Sequence, residues 1–204
     1  MQIAGPAPNV AIVCASRPHG ETGAVVRLMT AEQGLVAAYV AGARGRQLRP
    51  LLIPGNALAA EFITRPGSQM PSARLELVRS CGPWLGEPLP AAALAWATAL
   101  TAATLPERQA YPPLHAALSA LIDAICAAPS ARGWMPGLLG FETLLLRELG
   151  YGEVPERSGS ADWPGLLGQF DQLGKALARY LLAERRGDVM AARVMLRDRL
   201  GRIA

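Results

Sequence analysis

At 204 residues, 51% of them apolar, the chain can bury one large core or two small ones. No apolar run approaches the roughly 20 residues that span a bilayer, and the start, MQIAGPAPNV, has neither a basic n-region nor a continuous apolar h-region, so a soluble cytoplasmic protein is expected. The net charge of +4 is unevenly placed: residues 1–83 hold eight arginines and four glutamates, residues 84–204 hold twelve basic and twelve acidic side chains, and this asymmetry suggests an anionic partner for the first part.

Two textures follow one another along the chain. The first offers five short strand candidates, beginning with VAIVCAS (10–16), a continuous apolar run. AVVRLMT (24–30) and GLVAAYVAG (34–42) flank a tight AEQ connection, which reads as a hairpin. ALAAEFITR (57–65) and ARLELVRS (73–80) alternate apolar and polar residues, the pattern of half-buried strands. Five short strands in about 80 residues suit a small closed barrel, most commonly the oligonucleotide-binding (OB) fold; an SH3-like barrel has the same texture. CGPWLGEPLP (81–90) then carries three prolines and two glycines, as interdomain connections do.

The second texture is helical. Residues 89–105 and 111–129 are almost wholly apolar, so both belong in the core of a bundle. Segment 135–152 ends near Gly150, a C-cap. Segment 161–187 has Pro164 near its start and an amphipathic run through Phe170, Leu173, Leu177 and Leu181. Segment 188–203 opens on Asp188, a good N-cap. The expected class is α+β: an OB barrel over 1–83 followed by an all-α domain over 84–204.

Chemistry for an enzyme is scarce. Cys14, Cys81 and Cys126 stand far apart with no CxxC pair, so no disulfide framework, zinc site or other cofactor is expected. His19 and His115 lack obvious partners, and a Cys14/His19 nucleophile pair would place its thiol inside a strand pattern. GARG lacks the Gly-Lys-Ser/Thr ending of a phosphate-hydrolysing loop. Glu142 and Glu148 read as solvated helix positions.

The stretch YVAGARGRQLRPLLIPGN (39–56) is different in kind. It puts Arg44, Arg46 and Arg49 on a glycine-loosened turn, and no acidic residue interrupts the chain between Glu32 and Glu61. Guanidinium groups there can reach phosphate oxygens with paired N–H donors, with Arg17 and Arg27 as supports on neighbouring strands. Such contacts add affinity through counterion release and carry no sequence information. A basic loop needed only for solubility is the competing explanation. Only Tyr39 and Phe62 are aromatic in the barrel region, so stacking platforms are mostly absent and backbone-dominated binding of single and double strands is expected. An OB-type RNA-binding or ribosome-associated adaptor, or a module meeting an acidic protein, would show the same features.

Residues 16–56 closely resemble the N-terminal region of the RecO family of bacterial DNA repair proteins. The shared pattern comprises Gly20, Glu21, Val25, Leu28, Thr30, Glu32, Gly34, Leu35, Gly42, Ala43, Arg44, Pro54 and Gly55. FETLLLRELGYG (141–152) is similar to that family's signature in its helical domain. The resemblance implies an OB fold followed by helices, binding of single- and double-stranded DNA, annealing of complementary strands, and work as a recombination mediator. It implies as partners RecR, the tail of single-stranded-DNA-binding protein and, indirectly, RecA. That acidic, apolar-ended tail needs a hydrophobic pocket rimmed by cations, for which Arg179, Arg186, Arg193 and Arg197 are candidates; solvated helix faces are the competing explanation. The chain departs from the family pattern in three ways. Ala41-Gly42 replaces a common Lys-Gly pair, GEVPERSGSADWPG (152–165) lacks the cysteines of a zinc module, and the C-terminal part is short.

Overall fold

The computed structural model describes residues 10–151, 162–183 and 186–203, with residues 186–188 as backbone only. Five strands form first: β1 (Val10–His19), β2 (Gly23–Thr30), β3 (Gly34–Val40), β4 (Ala57–Ile63) and β5 (Ser72–Arg79). They close into a barrel in the order β1-β2-β3-β5-β4. β1 pairs antiparallel with both β2 and β4, and β3 meets β5 in parallel at Tyr39 and Ser72. This is the OB topology, which settles the choice between small barrels. Alternate residues supply the interior, including Val13, Val26, Leu28, Ala38, Val40 and Leu58, as the two-residue period of a strand requires. A register shift between Val13 and Ala15 marks a bulge in β1, and the strand continues to His19, three residues beyond the apolar run.

Two polar residues fix the connections. Thr30 closes the β2–β3 turn: its hydroxyl accepts from the Gln33 N–H and donates to the Gly34 carbonyl. Gly34 has a positive φ of 67°, and a Cβ there would lie 1.8 Å from the Gln109 carbonyl oxygen, so no other residue fits. Asn56, fully buried, donates to the carbonyls of Pro50 and Leu51 and accepts from the Cys81 N–H. It thereby pins the short 3-10 turn Arg49–Leu52 to the end of β5.

Five helices follow: α1 (Pro88–Thr104), α2 (Pro112–Ala127), α3 (Ala131–Glu148), α4 (Trp163–Tyr180) and α5 (Arg186–Leu200). α3 starts four residues before the sequence expectation, with Pro136 inside it. Asp162 caps α4 by accepting from the Gly165 N–H at 2.9 Å, worth about 1 kcal/mol. The helical core is built on Trp96, Trp134, Phe141 and Phe170, all buried.

The chain divides into two compact units. The first comprises residues 1–83 and also 105–115, so the connection between α1 and α2 belongs with the barrel rather than with the helices. Arg108 donates its N–H to the Leu35 carbonyl, and His115 donates from Nε2 to the Val10 carbonyl. Strand alternation carries no trace of this return, because it is made by one main-chain bond and one histidine side chain from a distant segment. Among the described residues no helix is long and apolar enough to cross a membrane.

Candidate nucleic-acid interface

The basic turn leaves β3 and folds back over one end of the barrel. Ala43 drops into the core while Arg44, Arg46 and Arg49 stay exposed. Gly42, at a positive φ of 66°, makes the reversal and accepts from the Gly45 N–H. The turn is tied to the β1–β2 connection twice: Arg44 donates its main-chain N–H to the Thr22 carbonyl at 3.1 Å and its guanidinium to the Glu21 carbonyl at 3.0 Å. Arg49 donates its N–H to the Gly45 carbonyl and opens the 3-10 turn held by Asn56. Arg44 and Arg49 thus line one cleft in the barrel mouth, of about 460 Å³, with Ser16, Pro18, Ala24, Ala43 and Leu52.

Arg17 joins this end from outside the barrel. It lies opposite Val25 on β2, which lies opposite Tyr39 on β3, so the three share one outward row. Arg17, Arg44, Arg46 and Arg49 form no ion pair among the described residues. Backbone carbonyls hold the loop while the charges stay available.

Arg27, expected with Arg17 as a support, is differently placed. It faces outward on β2, but Glu107 holds its guanidinium at 2.9 Å. The pairing follows from residues 105–115 lying along the barrel, a long-range placement that local pattern does not encode. The aromatic reading also changes. His19, isolated in sequence, meets Tyr39 edge-on at 6.0 Å between ring centroids. Tyr39 itself covers Gly23, where a Cβ would fall 2.4 Å from its hydroxyl. Phe62 instead packs against the barrel core. The signal for Tyr39 was present in its phase: Val36, Ala38 and Val40 point inward, so residue 39 points out.

Burial argues against the Cys14/His19 pair. Cys14 is buried, and burial pushes its thiol up to about 12, far from a usable thiolate. Among the described residues no cluster of His, Cys, Asp and Glu could hold a metal ion. The segment read as lacking a zinc module falls mainly on residues 152–161, outside the described residues.

In the helical unit two of the four proposed rim arginines are already engaged. Arg193 is only 4% exposed; its guanidinium donates to Glu142 at 2.8 Å and to the Phe170 carbonyl at 2.7 Å. It lies 3.6 Å from the Phe170 ring centroid and 5.2 Å from that of Trp96. A cation in that cage cannot greet a partner, so its assignment to a surface pocket is corrected. Arg197 grips Asp171 in a two-point pair at 2.7 and 2.9 Å. Arg179 is exposed and stands over the Tyr180 ring, which stacks on Tyr151. The Arg186 side chain lies outside the described residues.

Glu142 is likewise not solvated. It is fully buried and accepts from the Trp96 indole N–H at 2.7 Å as well as from Arg193. Burial raises its carboxyl above the ordinary range, against the pull of both donors. Leu138 and Leu145, four before and three after it, mark the buried helical face, so its position in the apolar stripe was readable.

A closed five-stranded OB barrel with exposed arginines at one end, followed by a helical unit, defines an oligonucleotide-binding class of fold. The chain matches the family model "Recombination protein O N terminal" over residues 9–81 and "Recombination protein O C terminal" over residues 88–154. It is 37% identical over 172 residues to a DNA repair protein RecO of Caulobacter sp. (strain K31), covering 83% of this chain and 69% of that one. It is 40% identical over 144 residues to the protein of the same name in Phenylobacterium zucineum (strain HLK1), covering 70% and 58%. For the protein of that name in Rhodospirillum centenum (strain ATCC 51521 / SW) the figures are 41% over 143 residues, 70% and 56%. The chain belongs to the RecO family of DNA repair proteins.

Proposed function

We propose that this protein is a non-enzymatic recombination mediator in DNA repair, which binds single- and double-stranded DNA by its phosphates and anneals complementary strands. The observation that carries this reading is the set of four arginines, Arg17, Arg44, Arg46 and Arg49, collected at one barrel end without ion pairs among the described residues. Two strands brought to one basic surface repel each other less, and neither sequence is read. Membership of a family whose members are named for DNA repair supports the same reading. The partners in this reading are RecR and the tail of single-stranded-DNA-binding protein, with RecA loaded as a consequence. On the helical unit, Arg179 beside the Tyr151–Tyr180 stack offers a cation next to exposed apolar surface for that acidic tail. The test is a strand-annealing assay at several salt concentrations, with and without single-stranded-DNA-binding protein, alongside titrations with single-stranded DNA, duplex DNA and structured RNA. Salt-sensitive annealing of DNA is expected. Preference for structured RNA with no annealing would overturn the reading.

A further inference from the structure

The mouth of the barrel is built differently from the face around Arg17. Its floor is apolar and made of small or short residues: Ala24, Ala43 and Leu52 are all buried. Val40 lies opposite Ala24 at the last layer, and Val26 and Leu58 fill the interior below. The small side chains of Ala24 and Ala43 leave room at that layer for a cleft. Ser16 and Pro18 form one wall, and Arg44 and Arg49 supply the charge. The resulting volume, about 460 Å³, lies within the range of small-ligand pockets, roughly 300–1,000 Å³, and barrel mouths are a recurrent place for them.

A strand passing over the rim would leave this floor uncovered. The barrel core floors the cleft, whose volume suits a chain end or a single nucleotide. An end nucleotide carrying a phosphomonoester brings nearly two negative charges at neutral pH, against one on each internal phosphodiester. Two arginines beside an apolar floor match such a group: paired N–H donors for the phosphate, apolar surface for the sugar and base.

We propose that the barrel mouth binds a nucleotide phosphomonoester, presented by a phosphorylated strand end or by a free mononucleotide, between Arg44 and Arg49. This rests on the nucleic-acid-binding reading above and gives part of that surface a second task.

The experiment compares internally labelled single strands ending in 5′-phosphate, 3′-phosphate or hydroxyls, titrated with the full chain. Adenosine monophosphate serves as competitor. At least one phosphorylated end binds roughly tenfold more tightly than the hydroxyl end, the scale of one hydrogen-bonded charged group. Ser16→Trp, which fills the mouth without removing a charge, brings phosphorylated strands down to the hydroxyl-ended level; its unfolding midpoint is measured alongside. Competition by adenosine monophosphate at micromolar concentration identifies a free mononucleotide as an occupant; preference without such competition identifies the strand end. Equal affinity for all ends overturns the inference and leaves backbone binding intact. A preference that survives in folded Ser16→Trp overturns the placement in the mouth. Failure of every strand to bind at low salt overturns both this inference and the proposed function.

Discussion

The two units use the same side chain in opposite ways. Around the barrel mouth, Arg44 is held by main-chain carbonyls, and Arg17, Arg44, Arg46 and Arg49 form no ion pair among the described residues. In the helical unit, Arg193 and Arg197 are spent on carboxylates, and Arg193 is sealed between two aromatic rings. Formal charge alone does not separate these fates. What separates them is whether an acid from a distant segment arrives, as Glu142 and Asp171 do for α5 and Glu107 does for Arg27. Charge available for a ligand is therefore a property of tertiary placement.

The largest effect expected from breaking this contrast is in the helical unit. Arg193→Ala leaves Glu142 buried without its cation and costs about 3–5 kcal/mol, read by denaturant unfolding. Replacing both partners together, as Glu142→Leu with Arg193→Met, costs much less, because no lone charge remains buried. A smaller loss follows from Gly174→Ala. Alanine is worth about 1 kcal/mol over glycine in a helix, yet here its Cβ would lie 2.8 Å from the Arg193 guanidinium, which two hydrogen bonds hold in place. Overpacking costs of about 1–3 kcal/mol turn the sign. A stabilised Gly174→Ala variant would show that the cage is loose.

Two gentler changes sharpen the comparison. Glu107→Gln removes the carboxylate charge held against the Arg27 guanidinium and steepens the salt dependence of single-strand binding by up to about 0.7, one contact's worth. An unchanged slope would mean that Arg27 does not reach phosphate even without that carboxylate. The Asp171–Arg197 pair titrates. The hydrogen bond from Arg197 lowers the Asp171 carboxyl below its ordinary value, so the pair's contribution is present above the ordinary carboxylate range. It is lost as pH falls through the lowered value. Both partners are partly exposed, which limits the effect to about 0.5 kcal/mol. Acid unfolding of Asp171→Asn should lack that component.

Much of this was legible in the chain. An apolar run, a hairpin pattern and alternation placed the five strands, and apolar or amphipathic segments with their cap residues placed the five helices. The basic turn was visible because its charges are local and its glycines permit the reversal. The unread features all depend on long-range arrival. Residues 105–115 return to the barrel through a main-chain bond to Leu35 and the His115 side chain on the Val10 carbonyl, and Glu107 reaches Arg27 from 80 residues away. Arg193 disappears into a cage formed by three other helices. Glu142 is the exception, since its neighbours Leu138 and Leu145 announced a buried face. His19, at the end of β1, and Tyr39, on β3, meet only once both strands are paired with β2.

The most direct test is the slope of log affinity against log salt for single-stranded DNA, measured for the natural chain and for Arg44→Ala/Arg46→Ala/Arg49→Ala. Three lost phosphate contacts should flatten that slope by about two and weaken all sequences alike. A triple variant that is folded and binds with the same slope would show that these arginines do not hold the nucleic-acid backbone.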